Sequence, residues 1–420
     1  MTSQPESLRF LSPHDVRTVA SKFGTPVFVM DEATLQQRIQ ETLAFPAPFG
    51  LTVRYAMKAN PTRAIVKLLT ESGLHIDASS GAEVHRAIAA GVPPAHISLS
   101  AQELPEDLGG LLAQGVLINA TSLQQIRTVG ELRPGTDIGL RFNPGLGSGG
   151  TNRTNVGGPA SSFGIWHELS GEANALLEEF NLRCVRLHSH IGSGGDPEVW
   201  MRVVSLNLDL VRQFPHVTTL DLGGGFKVGR MANEPTTDLQ VVGETVQNAF
   251  QTFAEETGRQ LHLEIEPGTY LVANAGALIS RIQDIVHTGS EGYTFYRLDT
   301  GMTDVLRPSL YGAQHPLIVV GKDQDLTETQ DVIVVGHCCE SGDILTPATG
   351  DAEALQPRKL HKADLNDYLV IEGVGAYCSA MCTRGYNSFP MSPEVLRKTD
   401  GTFQLIRRKQ NMTAQWADEV

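Results

Sequence analysis

The stretch Arg54-Tyr55-Ala56-Met57-Lys58-Ala59-Asn60-Pro61 decides how the rest of the chain is interpreted. Its lysine stands at the exit of an apolar segment, so the pattern predicts a side chain that faces a cavity rather than water. A buried lysine is costly unless its charge is lost or it becomes a neutral imine. Lys58 therefore predicts a chemical role, and a lysine that extends to the surface is the alternative.

Short apolar runs alternate with amphipathic segments downstream of this lysine. The predicted strands are Leu51–Lys58, His75–Ser80, His96–Ala101, Val116–Thr121, Asp137–Pro144, Arg183–Gly192, Thr218–Gly225 and Leu261–Gly268. A helical pattern runs from Pro197 to Phe214 after the sixth of them. Strand–helix units in this number favour a closed (β/α)8 barrel of the TIM type, with an open, doubly wound sheet as the alternative.

The chain changes character after Gly268, where short strand-like segments are separated by glycine, proline and aspartate. The predicted strands there are Leu278–Val286, Tyr293–Leu298, Gln330–Val335 and Asp367–Glu372. This pattern predicts three parts: an N-terminal segment, 1–30, that joins the β domain; the barrel, 31–279; and a mainly antiparallel β-barrel or sandwich domain, 280–420.

Composition excludes several classes of protein. The 420 residues are 41% hydrophobic and 19% charged, as in a chain of two domains or one large one. A formal net charge of -14 argues against nucleic acid and anionic membranes as partners. The chain has no apolar run that predicts a membrane span, and its start lacks the pattern of a secretory signal. Five cysteines without metal-ligand spacing predict free thiols, no metal site and a cytoplasmic location.

Motifs at strand ends carry weight because the active centres of such barrels form at the C-terminal ends of their strands. His188 and His190 flank Ser189 at the end of the sixth strand, and alternation sends both rings to one face. The next turn, Ile191-Gly192-Ser193-Gly194-Gly195, offers amides and a hydroxyl suited to phosphate. A satisfied core histidine is the alternative for either ring.

The seventh and eighth strands end in an anion-binding pattern and in a pair of carboxylates. Gly223-Gly224-Gly225 lets the backbone approach an anion closely, although glycine runs also serve simple turns. Glu264 and Glu266 precede Pro267-Gly268, and two carboxylates on one inward face need a cationic partner. A protonated pyridine nitrogen would be such a partner, and a structural salt bridge is the alternative.

Together these strand ends supply the parts needed to hold pyridoxal phosphate. They are an amine for a Schiff base, a ring to stack, a phosphate cradle and a carboxylate for the pyridine nitrogen. The Gly-rich insertion Asn143-Pro144-Gly145-Leu146-Gly147-Ser148-Gly149-Gly150 follows the fifth strand. It is predicted to lie at the same end, either as a mobile lid or as a solvated connector.

The motifs and their order resemble the fold-type III pyridoxal-phosphate-dependent decarboxylases, a class that acts on ornithine, lysine, arginine and diaminopimelate, and most of all its diaminopimelate branch. The matching stretches are Tyr55-Ala56-Met57-Lys58-Ala59-Asn60, Asp77-Ala78-Ser79-Ser80-Gly81-Ala82-Glu83, His188-Ser189-His190-Ile191-Gly192-Ser193, Asp221-Leu222-Gly223-Gly224-Gly225, Glu266-Pro267-Gly268, Arg307-Pro308-Ser309-Leu310-Tyr311, Cys339-Glu340-Ser341-Gly342-Asp343 and Gly375-Ala376-Tyr377. The resemblance covers nearly the full length. It implies an alanine racemase-like barrel and the decarboxylation of meso-2,6-diaminopimelate to L-lysine and carbon dioxide, in lysine biosynthesis.

The resemblance also implies a role for each residue around the cofactor, pyridoxal 5'-phosphate. Lys58 would form the Schiff base, His190 would stack on the ring, and Glu266 would meet the pyridine nitrogen. Asp77 and Glu83 would support Lys58 and the phenolic side of the ring. The remaining cofactor contacts would come from Ser193, Gly224, Gly225, Gly268 and Tyr377, most of them at the phosphate.

A homodimer with shared active sites is a further implication. The segment that starts at Cys339 would cross into the partner's site, where Cys339 would protonate the carbanion left after carbon dioxide departs. Glu340 would meet the distal amine of the substrate. Arg307 and Tyr311 would bind the substrate carboxylate, and Tyr377 would complete the substrate contacts.

The position after Glu266-Pro267-Gly268 departs from the family pattern. The diaminopimelate enzymes usually carry arginine there, whereas this chain has Thr269. One contact to the distal carboxylate is therefore missing or supplied elsewhere. Arg384 is a candidate for it, and a plain surface arginine is the alternative. Losing a charged hydrogen bond in a buried pocket costs roughly 1.5–3 kcal/mol, which is enough to change the preferred substrate.

Two alternatives to diaminopimelate decarboxylation therefore stay open. The first is decarboxylation of a related amino acid, such as D-lysine, D-ornithine or a citryl-diamino acid of siderophore synthesis. The second is a non-catalytic regulatory homologue. It predicts the loss of Lys58 or Cys339, yet both residues are present.

Overall fold

The computed structural model describes residues 6–146, 157–190 and 196–420. Its helices are α1 (Pro13–Phe23), α2 (Glu32–Leu43), α3 (Arg63–Glu71), α4 (Gly81–Ala89), α5 (Leu108–Ala113), α6 (Leu123–Leu132), α7 (Ser170–Glu179), α8 (Pro197–Arg212), α9 (Leu239–Thr257), α10 (Thr269–Val272) and α11 (Arg307–Tyr311). Its strands are β1 (Val27–Asp31), β2 (Leu51–Ala56), β3 (His75–Ala78), β4 (Ile97–Leu99), β5 (Leu117–Ala120), β6 (Asp137–Asn143), β7 (Ile165–Trp166), β8 (Arg183–His188), β9 (Thr219–Asp221), β10 (His262–Ile265), β11 (Gly276–His287), β12 (Thr294–Leu298), β13 (Leu317–Val320), β14 (Thr329–Val335), β15 (Pro347–Ala348), β16 (Asp351–Leu355), β17 (Arg358–His361), β18 (Tyr368–Glu372), β19 (Glu394–Arg397) and β20 (Phe403–Arg407). Short 3-10 turns lie at Met57–Ala59, Pro94–His96, His167–Leu169, Ala273–Ala275, Tyr386–Ser388 and Met412–Gln415.

A closed parallel barrel is formed by eight of these strands, in the spatial order β5-β4-β3-β2-β10-β9-β8-β6. The pairing of β5 with β6 closes the ring, and every pairing around it is parallel. The two-residue strand β7 is attached to the edge of β6. The predicted (β/α)8 barrel is therefore confirmed, with each predicted barrel strand present in the described part of the chain.

Local sequence signals explain where several barrel helices begin. The hydroxyl of Ser80 accepts a hydrogen bond from the backbone N–H of Glu83, 3.1 Å away, at the start of α4. Ser122 caps α6 through Gln125 in the same way, at 3.2 Å. Such caps satisfy donors that the first helical turn leaves unpaired. They fix where the chain leaves each strand, and so where each strand end points.

The β-rich part of the chain contains a second, nine-stranded sheet. Its central path runs β17-β14-β12-β11-β1-β19-β20, and β13 and β18 are attached through β11. Most pairings are antiparallel, whereas β1 with β19 and β12 with β14 are parallel. The predicted β domain of mainly antiparallel strands is confirmed, and β1 from the N-terminal segment is one of its inner strands.

The chain separates into two compact units. The β unit comprises Met1–Gln37, Gly229–Glu234 and Val272–Val420, and the barrel unit comprises Arg38–Val228 and Pro235–Leu271. In the β unit, Phe28 and Leu278 belong to one apolar core, and Val27 and Ile279 belong to another on the opposite face of the sheet. The predicted domain limits at residues 30 and 279 stay a prediction, since compactness alone does not define an independently folding domain.

None of the described helices combines the length and the apolar character that crossing a membrane demands.

Candidate active site

Lys58 lies in the tight 3-10 turn directly after β2, rather than within the strand as the sequence predicted. The chain turns there because the Tyr55 hydroxyl donates a hydrogen bond to the carbonyl of Asn60, 2.9 Å away. The Lys58 ammonium lies 3.7 Å from Asp77 Oδ2 and donates to Ser79 Oγ at 3.4 Å. Its side chain is 40% exposed, so the amine is open to a small molecule while a carboxylate holds it.

Glu83 supports this arrangement from the first turn of α4. Its Oε2 accepts a hydrogen bond from the backbone N–H of Ser79 at 2.7 Å, and Ser79 is the residue that the Lys58 ammonium reaches. Burial raises the pKa of Glu83, and the hydrogen bond from Ser79 opposes that shift. The structure therefore brings Lys58, Asp77 and Glu83 together.

Gly268 has a packing role beside the same turn. A Cβ atom added to Gly268 would lie 3.2 Å from Ala56 Cβ and 3.3 Å from Ala59 Cβ, the residues on either side of the lysine turn. Such contacts are tighter than ordinary van der Waals distances. A side chain at Gly268 would therefore push against the segment that carries Lys58.

His190 and the glycine run meet at the ends of β8 and β9. The backbone N–H of Gly224 donates to His190 Nδ1 at 3.0 Å, which fixes the orientation of the imidazole ring. A Cβ atom on Gly224 would lie 2.7 Å from the carbonyl oxygen of Glu266 and 3.2 Å from His190 Cε1. Gly223 and Gly225 adopt positive φ angles, +67° and +118°, which side chains rarely tolerate. Each glycine of this run is therefore required by its surroundings.

Glu266, Asp221 and His188 form a buried polar cluster inside the barrel. His188 Nε2 lies 3.3 Å from Glu266 Oε2, and His188 Nδ1 lies 3.3 Å from Ser100 Oγ. Within the described residues, Glu266 Oε1 and Asp221 Oδ2 receive no hydrogen bond. Burial lowers the pKa of His188 to about 4, so the ring is neutral and the short contact is no ion pair.

The two carboxyl groups of this cluster bind protons more tightly than usual. Burial, followed by the negative charge of Asp77, raises the pKa of Glu266 to about 8. Burial and the charge of Glu266 raise the pKa of Asp221 well above its ordinary value. Two buried carboxyl groups this close cannot both ionise without a cation. A protonated ring nitrogen would supply that cation.

Glu264 has different partners from Glu266, although both side chains were predicted to face the interior. It accepts a two-pronged hydrogen bond from Arg54, at 2.8 and 2.9 Å, and lies 3.0 Å from Arg186 Nε. Burial raises its pKa, but the two guanidinium groups outweigh burial and bring it down to about 2. The salt-bridge alternative therefore describes Glu264, and only Glu266 is left for a ligand.

Arg141 near the end of β6 was missed by the sequence analysis. It is buried, and its guanidinium carbon lies 5.4 Å from the centre of the Phe163 ring. Its positive charge is one of the causes that lower the pKa of His190, after burial, and it also acts on Glu266. The signal was a charged side chain amid the apolar run of a barrel strand, the same signal that identified Lys58.

These residues fit pyridoxal phosphate on chemical grounds. The orphaned oxygen of Glu266 suits a pyridine N–H, the held amine of Lys58 suits an aldehyde, and the glycine run leaves backbone room that any side chain would fill. The donor atoms of His188, Asp221 and Glu266 also lie within 4.8 Å of one another, as in a metal site. One histidine between two carboxyl groups of raised pKa favours a protonated ring over a metal ion.

Within the β unit, the predicted substrate residues Arg307 and Tyr311 begin and end α11. The guanidinium carbon of Arg307 lies 5.9 Å from the centre of the Tyr311 ring. Tyr377 is half-buried and has a φ of +56°, an unusual conformation for a bulky residue that costs on the order of 1–3 kcal/mol. Such strain is typical of binding sites, because surrounding structure must hold the residue in place.

Cys339 and Glu340 are exposed on a tightly held loop of the β unit. The backbone N–H of Cys339 donates to Asn387 Oδ1 at 2.9 Å, and the Tyr386 hydroxyl donates to Glu340 Oε2 at 3.3 Å. The Glu340 carboxylate also accepts from the N–H of Gly342, and this bond and that of Tyr386 lower its pKa. Cys339 further lines a cavity of about 700 Å³.

The other predicted site residues have less informative positions. Thr269 is half-buried at the first position of α10, and Arg384 is exposed and donates to the carbonyl of Ser379 at 3.4 Å. Ser193, with the rest of the predicted phosphate turn 191–195, lies outside the described residues, as does the second half of the Gly-rich insertion, residues 147–150.

Fold and site together define an enzyme that carries pyridoxal phosphate at one end of an α/β barrel. Residues 33–273 match the family described as pyridoxal-dependent decarboxylase, pyridoxal binding domain. The chain belongs to this family of pyridoxal-dependent decarboxylases, and it is a carboxy-lyase that uses pyridoxal phosphate, as the sequence predicted.

Individual relatives extend the match over nearly the whole chain. Diaminopimelate decarboxylase of Streptomyces coelicolor is 35% identical over 410 residues, which span 96% of this chain and 90% of that protein. A crystal structure of diaminopimelate decarboxylase has a TM-score of 0.90 at 31% identity and covers 97% of this chain and 96% of its own. The Helicobacter pylori enzyme, crystallised with L-lysine, has a TM-score of 0.83 at 26% identity, with 95% and 98% covered.

Proposed function

We propose that this chain removes carbon dioxide from meso-2,6-diaminopimelate and releases L-lysine, as a step of lysine biosynthesis. The observation that carries the proposal is the full-length likeness to diaminopimelate decarboxylases, 35% identical in the Streptomyces coelicolor protein. Lys58, His190 and Glu266 stand at the barrel positions where that chemistry needs an amine, a ring and a carboxyl group.

The protein itself forms few covalent bonds in this reaction. Bound pyridoxal phosphate supplies a conjugated ring that accepts the electron pair left behind when the bond between the α-carbon and the carboxylate breaks. Lys58 would hold the cofactor covalently, and Glu266 would hold a proton on its ring nitrogen. His190, fixed by Gly224, would pack against a ring face. The protein then orients the scissile bond and excludes water.

Cys339 is proposed as the donor of the proton that replaces carbon dioxide on the α-carbon, and Glu340 as the partner of the distal amine. Both side chains are exposed in the single chain, on a loop held by Asp343, Asn387 and Tyr386. An exposed but ordered catalytic loop is suited to a site on a second copy. We therefore propose a homodimer whose two active sites are shared.

The alternative substrate is a related amino acid, such as D-lysine or D-ornithine, neither of which has a second carboxylate. Thr269 favours it, because threonine cannot supply the charge that arginine offers at that position. Citryl-diamino acids of siderophore synthesis belong to the same alternative. The retained Lys58 and Cys339 disfavour a non-catalytic homologue.

Release of carbon dioxide by the purified, cofactor-loaded protein tests the proposal. The substrates are meso-diaminopimelate, D-lysine and D-ornithine, each measured in parallel over a range of concentrations. We expect kcat/KM for diaminopimelate to exceed that for the others by at least about tenfold, since a paired charged hydrogen bond contributes that much. A preference for D-lysine or D-ornithine would contradict the proposal, and no turnover of any of the three would point to larger, conjugated amino acids.

A cytoplasmic location is proposed on the state of the cysteines. All five are free thiols in the structure. Disulfides are rare in the cytoplasm because that compartment keeps thiols reduced.

A further inference from the structure

Arg230 is a buried arginine whose charge has no evident partner. It lies in the loop Gly229–Glu234 of the β unit and is 6% exposed. Its Nε donates a hydrogen bond to the carbonyl of Gly373 at 2.9 Å, but its Nη2 has no hydrogen-bond partner among the described residues. Burial, followed by the positive charge of Arg307, lowers the pKa of Arg230 to about 9, so the group stays charged at neutral pH. A buried, unsatisfied cation needs an explanation.

The surrounding loop holds Arg230 in position. The backbone N–H groups of Arg230 and Met231 donate to Glu234 Oε2 at 2.7 and 3.2 Å, so that carboxylate serves the backbone rather than the guanidinium. Arg9 donates to the carbonyl of Arg230. A Cβ atom on Gly373, which has a φ of +69°, would lie 3.0 Å from Arg230 Cγ. The side chain is therefore packed against backbone that leaves room only for glycine.

Arg307 is a second arginine that has an unpaired guanidinium nitrogen among the described residues. It is half-buried at the start of α11, and its Nε has no hydrogen-bond partner in the described part of the chain. Neither Arg230 nor Arg307 has a described carboxylate within the 4.0 Å of an ion pair. Two arginines without an acidic partner are unlike the other buried arginine pair of the protein, which is neutralised by Glu264.

Hydrogen bonds bring the segment that follows Arg307 next to the residue that holds Arg230. Arg307 and His315 lie at either end of a short segment, and His315 Nδ1 lies 2.9 Å from the carbonyl oxygen of Glu372. The next residue, Gly373, accepts the hydrogen bond from Arg230 Nε. After burial, the charges of Arg230 and Arg307 are the largest causes that lower the pKa of His315, and both charges also act on the thiol of Cys378.

We infer that Arg230 joins Arg307 in binding a carboxylate of the amino-acid substrate, and that Arg230 is a specificity-determining residue of this chain. The inference rests on the proposed function. A carboxylate would satisfy the unpaired Nη2 of Arg230 and the unpaired Nε of Arg307, and it would neutralise two like charges at once. Arg230 would then be a second cation for that carboxylate within the β unit, whereas Arg384 is an exposed and weaker candidate.

Binding of two related ligands to the cofactor-loaded protein tests the role of Arg230 without turnover. L-lysine retains the carboxylate that decarboxylation leaves untouched, and 1,5-diaminopentane is the same molecule without it. We expect Arg230→Gln to weaken L-lysine binding, measured by calorimetry, about ten- to a hundredfold. Binding of 1,5-diaminopentane should change less than about twofold. Arg230→Lys, which keeps the charge but not the fork, should restore part of the loss.

Arg17→Gln is the matched control. Arg17 also belongs to the β unit and donates to a backbone carbonyl, that of Gly321 at 2.8 Å, but it is partly exposed and pairs with Asp325. It should leave binding of both ligands unchanged. Thermal unfolding of each variant verifies that it is folded, and Arg230→Lys carries the test if Arg230→Gln does not fold.

Three outcomes would overturn the inference. Equal weakening of L-lysine and 1,5-diaminopentane would give Arg230 a structural role. Loss of affinity for pyridoxal phosphate, with L-lysine binding retained, would assign the pair of arginines to the cofactor's phosphate. Unchanged binding of L-lysine, 1,5-diaminopentane and pyridoxal phosphate would show that Arg230 binds none of them. If the wild-type protein does not turn over diaminopimelate, the proposed function fails by itself, whatever the variants show.

Discussion

At the scale of single residues, Glu266 shows how burial prepares a side chain for a ligand. Its carboxyl group is enclosed, lies 3.3 Å from a neutral His188 and shares its surroundings with Asp221. Without a cation, the state of lowest free energy is the one in which this cluster keeps a proton that a carboxyl group in water would have lost. A bound pyridine N–H would replace that proton, so the cofactor and the proton compete for one place.

Replacing Glu266 by glutamine should change how stability depends on pH in the cofactor-free protein. The pKa of Glu266 is raised from 4.5 to about 8 in the folded state. Its contribution to stability is therefore fully present below pH 4.5 and is lost as pH rises toward about 8. Glutamine does not titrate, so the free energy of unfolding of Glu266→Gln should fall less steeply over that window. The difference in slope is at most about 1.4 kcal/mol per pH unit.

Urea unfolding of both cofactor-free proteins at several pH values between 5 and about 8.5 measures this difference. Glu172→Gln, a change of an exposed carboxylate in the barrel unit, is the control and should run parallel to the wild type. If the Glu266→Gln and wild-type curves are also parallel, the proton is not held at Glu266.

At the scale of one element, the glutamate within β10 and the glutamate just after it have different roles. Glu264 lies within the strand, between the guanidinium groups of Arg54 and Arg186, and Glu266 follows the strand end. The first is fully paired inside the protein and the second is not. One strand therefore builds both the barrel's ionic core and its ligand site.

Removing the carboxylate of that ionic core should destabilise the barrel strongly. Glu264→Ala leaves Arg54 and Arg186 buried without their anion, and breaking one side of such a pair costs about 3–5 kcal/mol. The control is Asp137→Ala, which breaks a surface pair with Arg183 of similar geometry, 2.7 Å, and should destabilise far less because both charges are exposed to water. Denaturant unfolding compares the two. A loss for Glu264→Ala as small as that for Asp137→Ala would show that the two arginines find other partners.

The sequence predicted the barrel well because strand ends and apolar runs are local signals. It placed Lys58 in a strand, whereas the residue lies in a turn that depends on a hydrogen bond from Tyr55 to Asn60. A side-chain contact of that kind has no periodic signature. Strand alternation treated Glu264 and Glu266 alike, and only the positions of Arg54 and Arg186 distinguish them.

The burial of Arg230 could not be predicted from the sequence, for a different reason. It lies in a loop with glycine, asparagine and proline nearby, where a charged residue is ordinarily solvated. Its burial results from Gly373, a residue 143 positions away that accepts its hydrogen bond. Contacts over such separations are set by the whole fold, so the role proposed for Arg230 could not be found from motifs alone.

At the scale of the whole molecule, the exposed loop at Cys339 is held in one conformation by its anchoring contacts. Buried Asp343 anchors the loop by accepting backbone hydrogen bonds from Met302 and Cys338 at 2.7 and 2.9 Å. Gly301 and Gly336 leave room for this carboxylate, since a Cβ atom on either would collide with it. An anchored loop presents Cys339 and Glu340 in a fixed geometry, which a shared active site requires.

Mixing two inactive variants tests whether the sites of the proposed dimer are shared. Lys58→Ala should lose the cofactor's covalent attachment and its absorbance, and Cys339→Ala should keep both but turn over slowly. In a dimer with shared sites, a mixed pair contains one site with both changes and one site with neither. Random exchange makes half of the dimers mixed, so the mixture should recover about a quarter of wild-type activity.

Exchange of subunits is verified by capturing one variant through a tag and measuring the other in the same fraction. The matched control mixes Lys58→Ala with Glu266→Gln, since Lys58 and Glu266 both belong to the barrel unit of one chain. Two barrel variants leave every site of a mixed dimer with one defect, so this mixture should gain nothing over the average of its parents. If the mixture of Lys58→Ala with Cys339→Ala also gains nothing after verified exchange, Cys339 acts within its own chain or not at all. A recovered quarter in the first mixture alone would require Cys339 to work in a site built around the Lys58 of another chain.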